Sequence, residues 1–556
     1  MRRLSIPASS KSSPDLAAPA SRYRHAKPLN PALLDLCQAT LEEKLYSQAF
    51  ALLSAALTAG TGSLAPAHLP PPHYLAFAAT LVVHPQLTSR TSSTDKHAAA
   101  DDALRYLRHV NAILGPRNAS LHHAFCFNAD ALSSRFQRAK SRASELISVE
   151  EDVNDASLHS TYANQGSLWN QAPDFWSIVG WALNCAVAHP KRWARWKLLL
   201  AFLLDVLEDD LAERLPAAKA AYQSGGTTAV QESLKDSLFA HYLSLIGQGR
   251  NNKRRVMRAI FANGSSKSLA EFGEIWRNET KPPKQPREDL FAKRRKLDLD
   301  NGEFGDYLDE SDEDSPGGSL RRSRSATAIH SAPRSNTATD GGEESDEESS
   351  DRRPTDDTPL QTDVEAWGGM DAVRLRQRLL AFLAHFCAAN PNGFLDSEDL
   401  FDLYTEFIRP LPLPVFQQFT LPAKAYLPQQ SQASLNQMLL RPLLVATAPP
   451  YSETPPTQGD FETYYAPHAA SNTSAVDNAK VSLLLESLLR SLWTTGGLAA
   501  TRGLRNLVQQ GITARTEKTG WDGRKKVGFK ASADKEALNV LKCSSERMQM
   551  MLDMTT

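Results

Sequence analysis

The sequence predicts an all-α protein: irregular helical-hairpin repeats of α-solenoid type, in two halves joined by a disordered acidic and serine-rich linker. Three observations predict it. Apolar residues recur at three- and four-residue spacing through most of the chain. No strand-like alternation of useful length competes, and one stretch poor in apolar residues interrupts the pattern from about 281 to 363. A chain of 556 residues with 41% hydrophobic content is long enough for about two to four domains with real cores. Lys plus Arg total 62 against 63 Asp plus Glu, so net charge selects no partner and any electrostatic role must come from local segregation of sign.

Residues 1–28 hold Arg, Ser and Ala with a single acid, Asp15, the composition of an organelle transit peptide. Pro7, Pro14 and Pro19 would break the amphipathic helix such a peptide needs, so a disordered arm is expected. Residues 29–150 read as helical hairpins. Leu33, Leu36, Cys37, Leu41, Leu45, Ala49, Leu53, Ala56 and Leu57 fall on one face of one or two helices that stop at Thr58-Ala59-Gly60. A second helix passes through Tyr74 to Phe77, and a third through Ala103, Leu104, Leu107, Val110 and Leu114 before Gly115-Pro116. The spacing Ala49, Leu53, Ala56 and again Ala103, Leu107, Val110 resembles the second helix of a tetratricopeptide hairpin. The residues expected on the first helix are mostly missing and the repeat length is irregular, so the resemblance implies only stacked antiparallel hairpins.

Residues 151–280 carry the densest signal, with Trp169, Trp176, Trp181, Trp193 and Trp196 around two strong helices. The first runs from about Asp174 to Ala188. Pro190 opens the second, whose stripe is Trp193, Trp196, Leu200, Leu203, Leu204 and Leu207. Further helices are expected over Val230–Ile246, Lys253–Phe261 and Leu269–Trp276. Residues 364–445 are helical again, with Val373, Leu375, Leu379, Leu380, Phe382 and Leu383 on a buried face, Phe394–Phe407 as another arm, and Pro410, Pro412 and Pro414 as breaks. Residues 446–478 read as a Pro/Thr loop. Residues 479–556 give an apolar helix through Leu483 and Leu492, stopped at Gly496-Gly497, then a helix, a basic turn and a helix.

The linker, 281–363, carries the placement of the protein. Lys293, Arg294, Arg295 and Lys296 form a cation cluster suited to the acidic groove of an import receptor, which predicts a nuclear protein. Ser311 and Ser345 stand in acidic runs that suit an acid-directed kinase, Ser315-Pro316 and Thr358-Pro359 suit proline-directed kinases, and Ser323 and Ser325 lie in an arginine-rich run that suits a basophilic one. Candidate partner or phosphate contacts are Lys191, Arg192 and Arg195 at the start of one helix, Lys253, Arg254 and Arg255 at the start of another, and Arg524, Lys525 and Lys526 in a glycine-flanked turn. A solvated face is the simpler reading of the last two clusters. On the helix that begins at Pro190 the cations precede Glu208, Asp209 and Asp210, the reverse of the order its dipole favours. A broken local rule of this kind marks a binding surface, unless the helix continues through Arg214 towards Pro216 and leaves those acids mid-helix.

Reaction chemistry is not legible. The sequence holds no phosphate-binding loop, zinc-protease helix, nucleophile elbow or dinucleotide fingerprint. Cys37, Cys126, Cys185, Cys387 and Cys543 lie far apart, without the paired spacing of a disulfide framework or a cysteine-based zinc site. Cys185 and His189 stand four apart in an apolar helix, which favours a buried thiol over a nucleophile, and His122-His123 and His385 with Cys387 lack a third ligand. The expectation is therefore a non-enzymatic nuclear scaffold or adaptor with no cofactor and no metal, whose partners are other protein subunits, an import receptor and protein kinases. Contact with nucleic acid would be indirect, and no membrane is expected, because no apolar run approaches the ~20 residues that span a bilayer. The alternative is an accessory subunit that touches nucleic acid directly through the basic clusters.

Overall fold

The computed structural model describes residues 22–127, 158–247, 249–282, 363–444, 454–499, 501–519 and 529–555. The chain is mostly helical. Helices longer than one turn are α1 (Pro31–Glu42), α2 (Tyr46–Thr58), α3 (Pro72–Val83), α4 (Thr94–Asn118), α5 (Phe175–Ala188), α6 (Pro190–Lys235), α7 (Leu238–Ser244), α8 (Arg250–Ile260) and α9 (Ser266–Glu271). After the linker come α10 (Gly369–Ala389), α11 (Ser397–Ile408), α12 (Leu413–Thr420), α13 (Gln429–Leu440), α14 (Ala475–Thr494), α15 (Arg502–Lys518) and α16 (Phe529–Met554). Two three-residue strands, β1 (Ala26–Pro28) and β2 (Ala67–Leu69), pair in parallel and pin the start of the described chain.

Local chemistry sets most boundaries. Asp174 accepts a hydrogen bond from Ser177 N and caps α5, and Pro190 sits in the first turn of α6, where its missing N–H is not needed. Within α5, Gly180 lets Phe272 approach so closely that a Cβ there would meet the ring at 2.3 Å. All six tryptophans of the 151–280 region, Trp276 included, are buried, so their indoles belong to the core.

Several expectations are corrected. The face expected on α1 and α2 is split, because Leu36 and Leu45 are exposed while Cys37, Leu41, Tyr46, Phe50 and Leu53 are buried. A single helix over 230–246 does not form: Ser237 caps α7 through Ala240 N while the Asp210 carboxylate accepts from Leu238 N, and together they stabilise a new start. The helix expected over 269–276 ends at Glu271, where Phe272 turns into the core against Gly180. The expected loop of 446–478 contains a capped turn, with Thr457 and Asp460 making a reciprocal capping box before a wide turn over Phe461–Tyr465. Helix α6 runs through Arg214 and past Pro216 as far as Lys235, with a break at Gly226, so Glu208, Asp209 and Asp210 lie mid-helix and the reversed charge order carries no meaning for its dipole.

The described helices on either side of the linker form one compact unit. A continuous apolar cluster runs from Leu29 to Leu552. Packing also crosses the boundary expected near residue 150, since Arg192 of α6 donates to the carbonyl of Val83 at the end of α3. Phe239 of α7 meets Phe382 and Phe386 of α10 at ring distances of 4.6 and 5.0 Å, and Phe261 meets Phe407 and Phe419, each at 5.7 Å.

Candidate functional site

Three charged groupings were open to a functional reading, and two of them hold the fold together. The first centres on Glu279. Its Oε1 accepts from the indoles of Trp181 (2.6 Å) and Trp196 (3.1 Å) and from Arg192, and its Oε2 accepts from Trp276 N at 3.1 Å. Arg192 is buried and donates as well to Thr88 Oγ1, Ser89 Oγ and Val83 O. This buried ion pair is fully surrounded by donors and acceptors, the condition under which a desolvated charge pair is tolerated. Beside it, burial and then the charge of Arg192 pull His84 down to about 3, so its ring stays neutral. Arg192 is thus an internal anchor, Arg195 pairs with Asp101, and Lys191 alone of that trio is exposed.

The second grouping joins the two halves. Arg254 donates to Glu406 of α11 at 2.6 Å, Arg255 holds Asp174 and Ser177, and Lys253 lies 5.9 Å from the Phe394 ring centroid. Acids of α6 do the same in reverse, with Asp205 and Glu208 both bound by Arg378 of α10 at 2.6 Å. Arg376 is fully buried and donates to three carbonyls, Ile260, Ala262 and Trp367, which caps the end of α8 from the far half. Burial without a carboxylate partner lowers its pKa below the usual arginine value. The structure therefore places the Lys253–Arg255 cluster at a part-exposed seam. Lys293–Lys296, Ser311, Ser315, Ser323, Ser325, Ser345, Thr358 and Arg524–Lys526 lie outside the described residues.

The third grouping lines a cleft with a volume of about 1120 Å³, between the end of α4, α6 and the start of α7. Gly115 takes φ +71° behind two of the lining residues, and a Cβ there would strike Tyr23 and Glu213 at 2.6 and 2.5 Å. The turn after α4 supplies His122 and His123, whose rings lie 3.9 Å apart, and then Cys126. Helix α6 supplies Glu213 and Arg214, and α7 supplies His241, whose Nε2 lies 3.1 Å from Cys126 Sγ. Burial pushes Cys126 and Glu213 up and His122 and His241 down, so each favours its neutral form.

Sequence reasoning found the His122-His123 doublet but not the cleft. The partners of that doublet come from 90 to 120 residues downstream, and only packing unites them. Among the described residues, no group of three or more His, Cys, Asp or Glu side chains is placed to hold a metal, and no helix is long and apolar enough to cross a membrane. No family model, curated protein or solved structure matches the chain.

Proposed function

We propose that the protein is a non-enzymatic adaptor: a helical body, with hairpins stacked in an irregular α-solenoid manner, that carries a phosphorylatable segment into a nuclear assembly on chromatin or in nuclear RNA metabolism. The observation that carries this reading is that residues 281–363 interrupt one packed body rather than tethering two. A segment whose composition predicts disorder, held at both ends by the same core, is a docking arm with a fixed base. Stacked helices supply an extended surface for protein partners. In this reading the Lys293–Lys296 cluster directs import. Phosphates at Ser311 and Ser345 deepen an acidic field, while phosphates at Ser323 and Ser325 cancel a basic one, so the two sets act in opposite senses. The alternative, direct contact with nucleic acid, is weakened by the seam at Arg254 and Arg255, whose cations already hold Glu406 and Asp174.

Affinity purification with mass spectrometry, with and without nuclease, tests the proposal. Recovery of one stable protein complex that survives nuclease is the expected result. Heterogeneous recovery that nuclease abolishes would favour the nucleic-acid reading instead.

A further inference from the structure

We propose that Cys126 is an oxidisable thiol whose proton is accepted by His241, and that the cleft is a modification site for small peroxides. The thiol is the only one among the five cysteines to combine partial exposure with a base. Cys37, Cys185 and Cys387 are buried, and Cys543, also partly exposed, has the amide oxygen of Asn539 at 3.9 Å and the Arg547 guanidinium near it but no imidazole. Cys126 Sγ and His241 Nε2 stand 3.1 Å apart at the wall of an open cleft. The Phe127 backbone lies beside both groups: its carbonyl accepts from Cys126 Sγ at 3.7 Å, and a hydrogen bond between it and the His241 ring favours the protonated imidazole.

Burial raises the thiol and lowers the imidazole, so the pair rests neutral and the proton moves only as sulfur attacks. Sulfur attacks one peroxide oxygen, the S–O bond forms and the O–O bond breaks. The thiol proton passes through His241 to the departing hydroxide, which leaves as water. Sulfur is oxidised by two electrons to the sulfenic acid and the peroxide is reduced.

The test treats the full-length protein with hydrogen peroxide, traps sulfenic acid with dimedone and follows each cysteine by peptide mass spectrometry. Cys126 is expected to react about tenfold or more faster than Cys543, and His241→Gln to bring it down to the rate of Cys543. Absence of label on Cys37, Cys185 and Cys387 reports that the variant is folded. If it is not, the comparison of Cys126 with Cys543 in the unsubstituted protein still decides. Equal rates there, or an unchanged Cys126 rate in folded His241→Gln, would overturn the proposal.

Discussion

The Glu279 carboxylate shows how much a single side chain holds in this molecule. Two indoles, a backbone amide and a buried guanidinium all converge on it, only a few residues before the linker begins. Glu279→Gln keeps the shape but removes the charge opposite Arg192, which then lies buried without a counter-ion. We expect a loss of about 3 to 5 kcal/mol in chemical denaturation followed by tryptophan fluorescence. A loss under about 1 kcal/mol would mean that the pair is solvated and the reading of this centre is wrong. Nothing in the sequence announced this role, since Glu279 sits in a polar stretch and its side-chain partners lie 83 to 98 residues upstream. The tryptophan stripe was legible because Trp196 shares a helical face with Leu200, Leu203 and Leu207.

Helices show the same division between local and distant causes. The start of α5 at Asp174, the Pro190 start of α6 and the apolar stripe of α14 follow from neighbours a few residues away, and the sequence analysis placed them. Boundaries decided by distant groups were missed: α7 begins where it does because Asp210 reaches Leu238 N, 28 residues on. The cations of α8 and the acids of α6 read as surface signals for the same reason, since their partners, Glu406 and Arg378, lie beyond the linker. The seam also separates two kinds of contact. Arg378 faces acids that are 41% and 48% exposed, so Arg378→Ala should cost about 1 kcal/mol or less, and salt should diminish that cost. Arg376→Met strands two buried carbonyls and a third that is part-buried, and should cost about 3 kcal/mol at any ionic strength. Melting curves of both variants over a salt series would check the pair, and equal costs at high salt would count against this division.

At the scale of the whole molecule, the all-α class was plain from periodicity, and the position of the linker from its composition. Apolar helices wide enough to need covering on more than one side also imply that the two halves touch, but not which residues meet. Phe239 and Phe261 look like ordinary core residues of the first half, and only their rings against Phe382, Phe386, Phe407 and Phe419 show that the second half covers them. The most direct measurement inserts a protease site near residue 318, cuts the purified protein there and passes the product over a sizing column. A shared core predicts that the two fragments co-elute at the size of the intact chain and melt together, including at high salt, because the buried rings and Arg376 do not depend on exposed ion pairs. Fragments that separate and melt independently would contradict it.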